Sequence, residues 1–189
     1  MGQTKTAHRR WLCALAVLAL CMASIGLAAC GNEEERTSGE EGEYIKVGPA
    51  TYQVQITRLL NPRISPDDAY LRGQPPLTPE EAYLAVFLRI TNDGDDPYRP
   101  PRDVKVVDTQ ENEYLPLDAT QSGFGLDFGE AIDADGGVAP PPDSPAAEGP
   151  TNGALVLFRL KLDSATNNLP LELQIPTGPN SSSTIELDI

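Results

Sequence analysis

Apolar side chains in the body of this chain recur at every second position, and that period constrains its fold more than any other feature. Tyr52, Val54 and Ile56 alternate with Gln53, Gln55 and Thr57, the pattern of a strand with one buried and one wet face. The stretch 82–91, AYLAVFLRIT, is apolar on both faces until Arg89, which predicts a central strand. Segments 104–108, 113–117, 153–162, 169–175 and 183–189 supply further short strands rich in Val, Ile, Leu and Tyr. Turn chemistry separates them, as in Asn92-Asp93-Gly94-Asp95-Asp96-Pro97 and Pro176-Thr177-Gly178-Pro179-Asn180. About seven to eight short strands at this spacing predict an all-β fold, an antiparallel β-sandwich.

Two segments interrupt the rhythm. The stretch 61–79 holds Pro62, Pro66, Pro75, Pro76 and Pro79, and the stretch 118–152 is longer, with glycine, acid and the run Pro140-Pro141-Pro142. Loops of this length are usually functional or disordered. Residues 67–71 suit a single helical turn. The body, 43–189, is the size of one domain with one core, burying roughly 68–70% of its unfolded surface.

Ahead of that body stands a different chemistry. Lys5, Arg9 and Arg10 lead, with no acidic residue, into the uncharged stretch 12–29, the layout of an export signal. Such a stretch is also about long enough to span a bilayer. The residues Leu27-Ala28-Ala29-Cys30 choose between the two, because they resemble the lipobox at which bacterial lipoproteins are cut and acylated. Leu12 and Leu20, which precede Cys13 and Cys21, are too bulky for that role. We therefore expect residues 1–29 to be a lipoprotein signal peptide, with cleavage before Cys30 and a diacylglycerol on its sulfur. Two lipid signals on one terminus give stable membrane attachment. Residues 30–42, charged and without apolar side chains after the cysteine, read as a lipidated flexible tether spanning about 20 Å as a coil. The expected location is extracytoplasmic, at the cell membrane.

Removing residues 1–29 takes His8, Trp11, Cys13 and Cys21 with them. The remaining chain has no histidine or tryptophan, and its one cysteine is the lipidated one. That excludes a disulfide framework, a Cys/His zinc site, and Ser-His-Asp or Cys-His nucleophiles. The leader also carries three of the chain's 14 basic residues and none of its 28 acidic ones, leaving 11 against 28, a net charge of −17. A domain this acidic is repelled by nucleic acid and by anionic lipid head groups.

The run Tyr83-Leu84-Ala85-Val86-Phe87-Leu88-Arg89-Ile90-Thr91-Asn92, a strand closing in Ile-Thr-Asn before an acidic turn, resembles the first core strand of a known group of domains. These are the immunoglobulin-like extracellular domains of secreted and lipid-anchored actinobacterial proteins, an immunogenic mycobacterial secreted protein among them. Gly149-Pro150 through Gly153-Ala154-Leu155-Val156-Leu157-Phe158 is similar to that family's later Gly-flanked loop and strand. The resemblance covers most of 44–189 and departs at the longer, proline-laden insertion 118–152. It implies an immunoglobulin-like sandwich at the cell surface and brings no catalytic residues.

Three sets of residues bear on chemistry. Asp93, Asp95 and Asp96 in one turn, with Asp133 and Asp135 beside Gly136-Gly137 in another, offer the oxygen ligands Ca²⁺ prefers. An EF-hand register fails, since Asp133 and Asp135 at positions three and five put Ala131 at position one and Pro142 at position twelve. The same residues suit turns, so no metal is assigned. Paired carboxylates for glycoside hydrolysis have nothing in the sequence to place them in one cleft. Tyr52 and Tyr83 fall within strands and belong to the core. Tyr70 with Arg72, and Tyr98 with Arg99, lie in loops and stand as candidate contact residues. The expected function is that of a non-enzymatic, lipid-anchored surface protein. It needs no cofactor, and its sandwich loops meet a protein or cell-wall-polymer partner. The alternative is a calcium- or small-ligand-binding lipoprotein that uses the acidic loops.

Overall fold

A computed structural model describes residues 36–189; the expected signal peptide, Leu27, Ala28, Ala29, Cys30 and the start of the expected tether lie outside the described residues. Among the described residues, eleven strands form two sheets. They are β1 (Ser38–Glu40), β2 (Ile45–Val47), β3 (Ala50–Leu60), β4 (Glu81–Asn92), β5 (Lys105–Val107), β6 (Glu113–Tyr114), β7 (Pro116–Leu117), β8 (Gly137–Ala139), β9 (Ala154–Lys161), β10 (Leu171–Gly178) and β11 (Ser181–Leu187). Among the described residues, three single-turn α-helices join them: α1 (Asp67–Tyr70), α2 (Pro145–Glu148) and α3 (Leu162–Thr166). One sheet has the order β1-β11-β10-β5-β6 and the other β2-β3-β4-β9-β7, with β8 added to β4. The runs β3-β4-β9-β7 and β11-β10-β5 reproduce the two sheets of an immunoglobulin sandwich.

The alternation along β4 explains why this strand is apolar throughout. Leu84, Val86, Leu88 and Ile90 point between the sheets, where they pack with Tyr52, Val106, Phe158, Ile175 and Ile185. Tyr83, Ala85 and Phe87 point the other way and form a second buried cluster with Leu60, Tyr70, Leu157 and Ala119. β9 divides in the same manner, with Val156 and Phe158 inward and Leu155 and Leu157 outward. A sheet with an apolar outer face needs a cover, and the two long proline-bearing loops provide it. Tyr70 and Leu77 come from the first loop, and Ala119 and Phe124 from the second. The Tyr70 ring stands edge-on to Phe87 at 5.1 Å and to Phe124 at 4.9 Å, the favoured aromatic geometry.

Two departures from the sequence pattern have local causes. The register of β3 on β4 shifts between Val54 and Ile56, so this bulge breaks the alternation that would bury Ile56 beside Val54. Thr57, opposite Val86, takes the inner position, and Ile56 is 39% exposed. The second departure is β1. Ser38–Glu40 falls within the segment expected to be tether, yet it pairs in parallel with Thr184–Glu186 of β11. Low hydrophobicity argues only against side-chain burial, whereas an edge strand is held by its backbone ladder. The ordered fold therefore begins before residue 43. Glu41 follows at once, and its carboxylate accepts the backbone N–H of Thr57 on β3 at 3.0 Å and that of Asp188 after β11 at 3.3 Å. One side chain thus links the two sheets.

The segment 113–117 divides between sheets. Glu113–Tyr114 pairs with β5, and Pro116–Leu117 pairs with β9, with Leu115 crossing between them 64% exposed.

Candidate functional site

The end of the sandwich where β4 finishes is the part in which loops, not strands, set the surface. Its organiser is Asn92, fully buried at the last position of β4. The Asn92 amide nitrogen donates to the carbonyls of Asp96 at 2.8 Å, Ile132 at 3.2 Å and Asp133 at 2.9 Å, and its amide oxygen accepts from Gly94 N–H at 3.1 Å. Backbone bonds run alongside, from Asp135 N–H to Gly94 O at 3.0 Å and from Gly136 N–H to Asn92 O at 2.8 Å. The two acidic turns, 40 residues apart in sequence, are one structural unit.

Tyr98 extends this unit. Its backbone exchanges two hydrogen bonds with Ile132, at 2.9 and 2.7 Å. Its hydroxyl lies 3.0 Å from that of Tyr52, with the rings edge-to-face at 6.4 Å. Burial pushes both phenols above their ordinary pKa, Tyr52 furthest, and its neighbour Tyr98 adds to that rise. The pair stays protonated and serves as a polar plug at the end of the core. Arg99, next along, is exposed and donates from Nε to the Gly129 carbonyl at 3.2 Å.

Between the segments 123–133 and 136–146 lies a groove of about 590 Å³. Leu126, Ile132, Ala139 and Pro140 give it apolar walls, and the exposed acidic residues Asp127, Glu130 and Asp133 are also among its lining residues. Local chemistry fixes both walls. Asp127 Oδ1 accepts the Gly129 N–H at 2.7 Å, closing one turn. On the other side Ser144 donates its hydroxyl to the Pro141 carbonyl at 2.6 Å and accepts the Ala147 N–H at 3.3 Å, capping α2 with Pro145 at its first position. The long insertion is therefore built structure and bounds a cavity within the usual size range of ligand sites.

Of the candidate contact residues, Tyr70 is corrected. It is fully buried in the outer cluster, because the apolar outer face of β4 and β9 requires a large side chain there, and it offers no surface to a partner. Arg72 beyond it is exposed. Tyr98 is half-buried against the inner cluster, on the opposite face of the sheet from Tyr70. The four residues do not converge, and Arg99 alone among them lies at the loop-built end with a free outer surface.

The acidic turns meet through their backbones rather than their carboxylates. Asp93 is occupied by Thr51 Oγ1 at 2.5 Å and Lys46 Nζ at 2.9 Å, which together hold its carboxyl below its ordinary pKa. Among the described residues, no three Asp, Glu, His or Cys side chains are grouped to hold a metal ion.

Two buried carboxylates lie elsewhere. Burial pushes the Asp108 carboxyl up, but hydrogen bonds from Ser164, Asn112 and Asn168 outweigh it and leave the group well below its ordinary pKa. Asp108 also accepts the Gln110 and Asn112 N–H groups, both at 2.9 Å, and so fixes the β5–β6 turn. Asp67, 4% exposed, pairs with Arg58 and accepts the Asn61 N–H at 2.8 Å, which pins the first covering loop to β3. Both have structural partners in full view and neither faces the groove.

Asn92 and the groove were not legible in the sequence. Asn-Asp-Gly reads as turn chemistry, and nothing in one sequence shows that the side chain of Asn92 turns inward to collect carbonyls from a distant loop.

No family model matches this chain, and no curated protein matches it. Among solved structures, an uncharacterized β-sandwich protein from Clostridium difficile 630 is similar, at 14% identity over 84% of this chain and 98% of the other, with a TM-score of 0.47. The yjhA protein of Bacillus subtilis is similar at 11% identity over 79% of this chain and 99% of the other, TM-score 0.46. A conserved hypothetical protein from Bacillus anthracis is similar at 9% identity over 77% and 93%, TM-score 0.45.

Proposed function

We propose that this protein is a non-enzymatic, lipid-anchored surface module whose loop-built end meets a macromolecular partner outside the cell. The observation that carries this reading is the union of the segments 92–99 and 123–146 into one surface with a groove, organised by Asn92. Loops fixed on a rigid sandwich are where such domains place recognition. The sequence supports the anchor through Leu27-Ala28-Ala29-Cys30 and the basic leader, and supports an extracellular setting through its resemblance to the immunoglobulin-like domains of actinobacterial lipid-anchored proteins. Of the two partners the sequence leaves open, a protein is favoured over a cell-wall polymer, because no aromatic ring lines the groove to stack on a sugar.

The test is a photo-crosslinking amino acid placed at Arg99 in the anchored protein on intact cells, with the exposed Glu111 on the β5–β6 turn as the control position. A discrete protein adduct at position 99 and none at 111 is the expected result. Equal labelling at both positions, or none at either, would contradict the reading.

A further inference from the structure

The groove has a chemistry that narrows its occupant. Its walls are apolar, Asp127, Glu130 and Asp133 line it, and no Lys, Arg or His does. None of these three carboxylates forms an ion pair among the described residues, whereas Asp67, Glu81, Asp93 and Glu113 each do. Arg99 and Arg102 do not line the cavity; Arg99 is held to the Gly129 carbonyl, and the Arg102 guanidinium and the Asp127 carboxylate both lie beside Gly129. A cavity with hydrocarbon walls and three acidic but no basic residues in its lining complements an ammonium group carried on an aliphatic stem, which is the build of a lysine side chain.

Resting on the interaction-module reading above, we infer that this groove receives a lysine-bearing, extended segment of a protein partner, with the stem of the lysine against Leu126, Ile132 and Pro140 and its ammonium among Asp127, Glu130 and Asp133. Carboxylates at the rim of such a site set specificity and association rate, and binding through them weakens with salt.

The experiment is isothermal titration of the processed full-length protein in detergent with a short peptide of alternating lysine and leucine at near-physiological salt. One variant, Asp127→Asn with Glu130→Gln and Asp133→Asn, removes the three charges. A control, Asp68→Asn with Glu80→Gln and Glu111→Gln, removes three remote ones. A third, Ala131→Phe, fills the groove and leaves every charge in place. The inference predicts about tenfold weaker binding for the first variant and for Ala131→Phe, with the remote variant unchanged within about twofold. Equal weakening by the remote variant would overturn it in favour of diffuse attraction to an acidic surface. Binding of spermidine as tight as that of the peptide would overturn it in favour of a free small cation. Failure of the groove alone, with crosslinking at position 99 intact, would leave the interaction-module reading standing and dismiss only the lysine-bearing occupant.

Discussion

The Asn92 amide nitrogen lies 2.9 Å from the carbonyl oxygen of Asp133, and through that contact the final residue of a core strand holds a loop 41 residues away. The same nitrogen serves Ile132 and Asp96. Asn92→Ala removes the donor and leaves buried carbonyls without a partner, which costs about 3 kcal/mol and lowers the melting temperature by about 6–12 °C. Asn92→Asp is expected to be worse, since it sets a carboxylate against three carbonyl oxygens. Thermal unfolding of the two variants checks the order. Equal and small losses would show that the loops hold themselves.

Tyr70 and Arg72 are two positions apart and answer to different physics. Tyr70→Ala empties the centre of the outer cluster between Phe87 and Phe124 and should cost about 3–5 kcal/mol. Arg72→Ala touches an exposed side chain and should stay within about 0.5 kcal/mol. Denaturant titration separates them. A mild effect at Tyr70 would mean that the proline-rich loop does not seal the sheet.

Asp108 gives the fold an acid-sensitive element. Its carboxyl is held below its ordinary pKa by Ser164, Asn112 and Asn168, so the folded form releases this proton more readily than the unfolded chain. The stabilisation is complete above the ordinary carboxylate value, near 4, and is lost as pH falls further. Asp93 and Asp118 are lowered by their own hydrogen bonds, and Glu81 reaches about 2 beside Arg159, so they share this direction. Asp108→Asn should be clearly less stable than the parent at pH 7, with the gap between them closing as pH drops from about 5 towards 2. Urea midpoints across that range provide the measurement. A gap that stays constant would contradict the role given to the charge.

The sandwich was readable because burial writes itself into period-two patterns. Tyr52, Tyr83 and the strand 82–91 are where their alternation puts them, and the apolar second face of β4 was visible as Tyr83, Ala85 and Phe87. The partner of that second face was not visible, since a covering loop has no period, and Tyr70 consequently looked like an exposed loop aromatic. β1 and β8 escaped for a related reason. Ser38–Glu40 and Gly137–Ala139 are three-residue strands held by backbone pairing, which leaves little trace in side-chain type. The bulge at Gln55 is equally silent, because one inserted residue changes which face a side chain meets without changing composition. The groove joins segments whose meeting depends on one buried amide, a contact no short window of sequence contains.

Membrane attachment decides whether the loop-built end has an extracellular partner at all, and intact mass spectrometry of the native protein tests it most directly. The account predicts a mature chain that begins at Cys30, with residues 1–29 absent and a diacylglycerol thioether on its sulfur. A native chain that retains residues upstream of Cys30 and carries no lipid would contradict it.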